Sequence, residues 1–305
     1  MGIRSFLLKR IFSPVFLKRI IDNIFMFSDL TVDLYFKSGD QERRQFFVKK
    51  SLESIGIGFR TGDPLQAEEW FIESVLTDIF CDSKAPVFFD IGANVGEYSS
   101  RLASNLSHSR IYSFEPNPMT FQALKENLFG FKNVEIFNSA LSDKEESMLL
   151  FSYNLNQTSG HASLDKRVFS ELYHRDDLVE FQVRSVTLDE FSKEQDLHRI
   201  DFIKIDTEGH ELEVLRGGLR LLEEKRISII QFEFNEMNII KRVFLKDFFD
   251  LLSGYEFFRL SEGELVNISE YKSDFEIFWY QDIIAVLKTE KNVLDKLLKY
   301  QISSK

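Results

Sequence analysis

Phe88-Phe89-Asp90-Ile91-Gly92-Ala93-Asn94-Val95-Gly96-Glu97 is a short apolar run that reaches an acid, passes through a glycine-bearing turn and opens a helix. A buried strand feeding such a turn is how open α/β sheets present ligand sites at the carboxyl ends of their strands. The pattern repeats outward. Strands are expected at 86–91, 110–114, 133–138, 200–205 and 227–234, with helices at 95–106, 118–129 and 210–224 between them. Leu65, Trp70, Phe71, Val75, Leu76 and Ile79 recur at helical intervals, so a helix leads into the first strand. Segments 255–260 and 282–287 read as an antiparallel pair closing the sheet. The expected fold is α/β and doubly wound, a mostly parallel seven-stranded sheet with an antiparallel C-terminal strand and an N-terminal helical extension. The expected boundaries are 1–64 for a basic extension, 65–290 for the catalytic domain and 291–305 for a C-terminal helix or tail.

Composition narrows the function. The single cysteine, Cys81, permits no internal disulfide and no thiolate zinc cage, which suits a reducing, cytoplasmic setting. Histidines 108, 161, 174, 198 and 210 lack metal-ligand spacing. Thirty-two phenylalanines, some paired as in Phe88-Phe89 and Phe248-Phe249, are expected to fill the core. The formal net charge of -11 opposes non-specific nucleic-acid binding. Charge is uneven: residues 1–60 carry eleven Lys/Arg against six Asp/Glu, leaving 27 against 43 for the rest. Residues 3–25 alternate Leu/Ile/Phe with Lys/Arg, the pattern either of a basic amphipathic helix in peripheral contact with an anionic membrane or of a helix packed on the core. No apolar run there is long enough to span a bilayer, and no secretory or myristoylation signal is evident.

The chemistry gathers where the strands end. Asp90 is placed to accept hydrogen bonds from a cationic amine, and Gly92 and Gly96 allow close backbone approach. A dinucleotide-binding turn would need glycine at 94, where Asn94 stands. Glu115, ending the second strand, suits a pair of ribose hydroxyls, and Ser139-Ala140 is small enough for an adenine ring to lie against the backbone. Phe202-Ile203-Lys204-Ile205-Asp206-Thr207-Glu208-Gly209-His210-Glu211 concentrates ionisable groups at the fourth strand's end. Alternation puts Lys204, Asp206 and Glu208 on one face if the strand persists that far. A transferred methyl requires a base for an attacking hydroxyl, and Asp206, His210 and Glu208 are the candidates in that order. Lys204 either serves the site or pairs with a neighbouring carboxylate. Glu211 suits a helix N-terminus, and Glu233 is a site carboxylate or a structurally partnered one. A nicotinamide-dependent sugar oxidoreductase or epimerase and a non-catalytic nucleotide-binding module are the competing readings.

Four blocks in order, DIGANVGEYS at 90–99, FEPNP at 114–118, SALSD at 139–143 and KIDTEGHELEVLRG at 204–217, resemble the FkbM family of methyltransferases over roughly 65–290. The resemblance implies a Rossmann-like methyltransferase fold, S-adenosylmethionine as donor, and a hydroxyl acceptor on a sugar, glycan or secondary metabolite. It implies that Asp90, Gly92, Asn94 and Gly96 line the methionine end, Glu115 the ribose, and Asp206 and Glu208 the transfer site. Asp206, Glu208 and Glu233 offer oxygen ligands for magnesium, although a metal-free site is expected. The polar stretch 154–180, around Thr158-Ser159-Gly160-His161, is either a lid over the acceptor or an exposed excursion.

Overall fold

A computed structural model describes residues 41–58, 65–153 and 162–301. The segment 3–25 lies outside these residues, as does the Thr158–His161 part of the expected lid. The chain divides into two compact units, Met1–Ser51 and Leu52–Lys305. Of the first, only 41–51 is described, as most of the helix Gln41–Glu53.

The second unit is built on an eight-stranded sheet. Its strands are β1 (Val87–Ile91), β2 (Arg110–Phe114), β3 (Val134–Phe137), β8 (Ile200–Ile205), β9 (Ile227–Phe234), β10 (Tyr255–Ser261), β11 (Glu264–Asn267) and β12 (Gln281–Leu287). The spatial order is β11-β10-β12-β9-β8-β1-β2-β3. Pairing is parallel from β3 to β9, and β12 enters antiparallel between β9 and β10. The seven expected strands are therefore present. β11 is an addition at the edge, returning on β10 through a turn in which Gly263 takes φ +79°.

Successive residues of the strands bury on opposite faces, which explains the Phe88-Phe89 pair; Phe248-Phe249 lies instead in the helix Leu245–Leu251. Phe88, Ile111, Phe202, Ile229 and Ile284 pack with Phe71, Ile72, Val75 and Leu76 on one face. Their neighbours Phe89, Tyr112, Ile203, Ile230 and Ile283 pack with Leu188 and Phe191 on the other. The helical run at 65–80 is continuous but widens into a π-helical stretch at Phe71–Leu76. Glycines 217 and 218 separate the expected helix at 210–224 into Glu211–Arg216 and Leu219–Glu223. The helix Lys291–Leu297 buries Leu297 against the same face as Phe71.

A second, four-stranded sheet occupies the interval between β3 and β8. It comprises β4 (Ala140–Leu141), β5 (Ser147–Ser152), β6 (Ala162–Ser163) and β7 (Val179–Val186), in the order β4-β7-β5-β6. Its residues Ala140, Leu141, Leu150 and Ala162 line a cavity at the carboxyl ends of the main strands. No described helix is long and apolar enough to cross a membrane.

Candidate active site

An open cavity, about 650 Å³ with its solvent-filled mouth included, lies where β1, β2 and β8 end. Gly92 and Asn94 follow β1, Glu115 and Pro116 follow β2, and Ser139 and Ala140 follow β3. Asp206, Thr207 and Glu208 follow β8, while Leu150 and Ala162 come from the small sheet, Leu164 from just beyond β6 and Thr120 from the helix Pro118–Asn127.

Two glycines shape this rim for different reasons. Gly92 has φ +84°, and a Cβ there would lie 1.7 Å from the Asp206 carbonyl oxygen, so only glycine lets the loop after β1 meet the loop after β8. Gly96 has φ +91° and a Cβ there would press on Leu124 and Leu128. It does not line the cavity; it seats one helix against another. Asn94 takes φ +49°, a left-handed conformation that asparagine tolerates.

Glu115 is buried with both oxygens engaged: the Asn94 N–H donates to Oε2 at 3.0 Å and the Asn117 N–H to Oε1 at 2.8 Å. Each oxygen keeps acceptor capacity for a ligand hydroxyl. Burial pushes its carboxyl up to about 7, against the pull of those two donors.

Beneath the cavity lies a buried polar network that the sequence pattern had not assembled. The Lys204 ammonium donates to Asp206 Oδ2 at 2.9 Å, lies 3.5 Å from Glu68 Oε1 and sits 4.7 Å from the centre of the Tyr98 ring. Gln231 accepts from the Tyr98 hydroxyl at 2.7 Å and donates to Glu68 Oε1 at 3.1 Å and to Asp282 Oδ1 at 3.2 Å. Burial lifts Glu68 to about 8, while the carboxylates Asp206, Glu68 and Asp90 keep Lys204 protonated far above the ordinary lysine range. Asp90 is fully buried. Its Oδ2 accepts from the Ser99 hydroxyl at 2.5 Å, its Oδ1 has no partner, and burial raises its carboxyl. Asp90 thus underlies the cavity without lining it.

The sequence-derived candidates separate accordingly. Strand β8 ends at Ile205, so alternation does not carry through Glu208; loop geometry brings Asp206 and Glu208 to the cavity instead. Glu208 holds φ +55°, a left-handed conformation costing about 1–2 kcal/mol for such a residue. The loop is braced by Glu211, whose Oε1 accepts from the Thr207 N–H at 2.9 Å, the Thr207 hydroxyl at 3.0 Å and the Gly209 N–H at 3.1 Å. The Ser163 hydroxyl adds a bond to the Glu208 carbonyl at 3.0 Å. Lys204 reaches the cavity only through Asp206. His210 does not line it: Nε2 lies 2.9 Å from Ser142 Oγ, and burial lowers the imidazole to about 4, leaving it neutral. Glu233 does not line it either, and burial together with Asp206, Glu208 and Glu211 raises its carboxyl. Among the described residues, no group of three or more His, Cys, Asp or Glu is arranged to hold a metal ion.

Glu68 and Thr120 escaped the sequence reading. Glu68 left one trace, an acid on the apolar stripe formed by Leu65, Ile72, Val75 and Ile79. Thr120 left none.

The donor set fits a cationic nucleoside. The buried, partnerless Asn94 Oδ1 and Thr120 Oγ1 share the cavity wall with Glu115, Asp90 Oδ1 is partnerless beneath it, and acids outnumber the one lysine below. A doubly wound sheet bearing this site at its strand ends defines an S-adenosylmethionine-dependent methyltransferase. The family model described as the methyltransferase FkbM domain matches residues 90–257, more than half of the chain, and the chain belongs to that family.

Hexuronic acid methyltransferase AglP of Haloferax volcanii is 26% identical over 188 residues, covering 61% of this chain and 69% of that protein. The 2-O-methyltransferase NoeI of Sinorhizobium fredii is 26% identical over 181 residues, covering 56% and 72%. Among solved structures, a SAM-dependent methyltransferase from Aquifex aeolicus overlaps 74% of this chain and 94% of its own at 14% identity, with a TM-score of 0.38. Family membership sets aside the nicotinamide-dependent reading.

Proposed function

We propose that the chain methylates a hydroxyl oxygen on a sugar or glycan, such as a polysaccharide or glycolipid, or on a secondary metabolite. The observation that carries this reading is the meeting of Asp206 and Glu208 with Gly92, Asn94 and Glu115 around one cavity. The names of the two relatives, a hexuronic acid methyltransferase and a 2-O-methyltransferase, support sugar and oxygen as the target. Residues 65–290 form the catalytic body in this reading.

When bound, S-adenosylmethionine supplies an electrophilic methyl on a sulfonium. The chain's residues do the remaining work. Glu115 accepts from ribose hydroxyls, Gly92 and Asn94 border the methionine end above Asp90, and Ser139-Ala140 receives the adenine side. Asp206 takes up the proton of the acceptor hydroxyl. Its side chain is 36% exposed, and Lys204 fixes it by one oxygen, leaving the other for the acceptor. Glu208 borders the acceptor. No step is assigned to a metal, and chelation leaving turnover unchanged is the expected result.

Asp206→Asn is expected to lower methyl transfer by about 10²–10⁴-fold, the usual worth of a general base. S-adenosylhomocysteine affinity should stay within about twofold. Full turnover in this variant would remove Asp206 as the base.

A further inference from the structure

We infer that the hydroxyl of Thr120 is a further donor-binding residue, hydrogen-bonding the adenosyl moiety beside Glu115. The inference rests on the S-adenosylmethionine reading and extends it to a residue outside the glycine-bearing turn and the strand ends.

Thr120 is 2% exposed, it lines the cavity, and its Oγ1 is buried with no hydrogen-bond partner. A buried hydroxyl in that condition is desolvated without compensation, so its position calls for a partner from the cavity side. A helical threonine ordinarily satisfies itself on the carbonyl four residues back. That carbonyl belongs to Pro116, ahead of the first turn, and it already accepts from Asn138 Nδ2 at 3.1 Å. The helix itself is well anchored. Asn117 caps it by accepting the Met119 N–H at 3.0 Å, Pro118 opens it, and Leu124 is fully buried below. Thr120 is thereby held facing the cavity.

The chemistry of the surroundings selects the ligand group. Glu115 offers only acceptors and is suited to hydroxyl donors, whereas a threonine hydroxyl both donates and accepts. Asn94 Oδ1, also partnerless, adds another acceptor on the same rim. A group presenting donors and acceptors together matches Glu115 and Thr120 side by side. Adenosine, with ribose hydroxyls and ring nitrogens, is such a group and is the part of the donor assigned to Glu115; the methionine arm, with its ammonium and carboxylate, is assigned to the Gly92 and Asn94 side.

The test is calorimetric titration of the full chain with S-adenosylhomocysteine and methylthioadenosine, alongside thermal melts of the ligand-free protein. Thr120→Val keeps the side-chain shape and removes the hydroxyl. It is expected to weaken both ligands about tenfold, the loss of roughly one hydrogen bond, while leaving the ligand-free melting temperature unchanged or higher. Thr120→Ser is expected to restore most of the affinity. Affinity within twofold of wild type for Thr120→Val overturns the inference. So does a loss matched by an equal loss of ligand-free stability, which marks a packing defect. Wild-type protein that binds neither ligand overturns the donor reading and this inference with it, an outcome distinct from binding that ignores the hydroxyl.

Discussion

Glu115 accepts two backbone N–H groups, yet burial holds its carboxyl up at about 7. Ribose hydroxyls are accepted best by the ionised form, so ligand binding near neutrality releases a proton. Affinity for S-adenosylhomocysteine is therefore expected to rise with pH up to about 7 and then level off, by no more than about tenfold per unit. Titrations at successive pH values check this, and Glu115→Gln should bind more weakly and lose that part of the dependence. A wild-type affinity that falls as pH rises through 7 would contradict the assignment. At this scale the structure brings Gly92, Asn94, Glu115, Asp206 and Glu208 to the cavity wall and leaves two ionisable neighbours off it, Lys204 pairing with Asp206 as one of its two sequence readings allows. Lys204 and His210 sit in the same charged block as Asp206. Which of them turns inward is decided by contacts with Glu68 and Ser142, at sequence separations no local pattern records.

At the scale of elements, the helix Leu188–Glu194 supports the second and third strands through one ring. Phe191 meets Phe114 and Phe137 with ring centres 4.8 and 4.9 Å away, and Tyr112 and Phe89 at 5.5 and 5.6 Å. Phe191→Ala should cost about 3–5 kcal/mol, measured by urea denaturation. A loss under about 1 kcal/mol would show that these contacts do not hold the sheet. The parallel strands were readable because each is a run of four to eight mostly apolar residues, so β1, β2, β3, β8 and β9 fall within a residue of expectation. The small sheet was not. Two of its strands, β4 and β6, have only two residues each, too few to show a period, and its pairing joins segments nearly forty residues apart. Within the 154–180 stretch, Ala162 and Leu164 line the cavity.

Over the whole molecule, the site holds an excess of buried acid. Glu68, Glu115 and Glu211 are raised to about 8, 7 and 7 by burial. The folded state then binds more protons than the unfolded chain between their ordinary values near 4.5 and these raised ones, so stability falls as pH rises through that window. His210, lowered to about 4, acts oppositely, but its contribution is complete above about 6.5. Between pH 6.5 and 8.5 the ligand-free melting temperature is expected to decline, and a melting temperature rising across that range would refute the buried-acid description. A cationic donor relieves the same excess. The most direct measurement is incubation of the purified chain with S-adenosylmethionine carrying a labelled methyl and a panel of neutral, amino and uronic sugars, with NADH and NADPH binding titrated in parallel. Label transferred to a sugar oxygen, S-adenosylhomocysteine bound saturably and both nicotinamides ignored is the predicted result. Nicotinamide binding without S-adenosylhomocysteine binding, or saturable donor binding with label passing only to nitrogen or carbon acceptors, would contradict it.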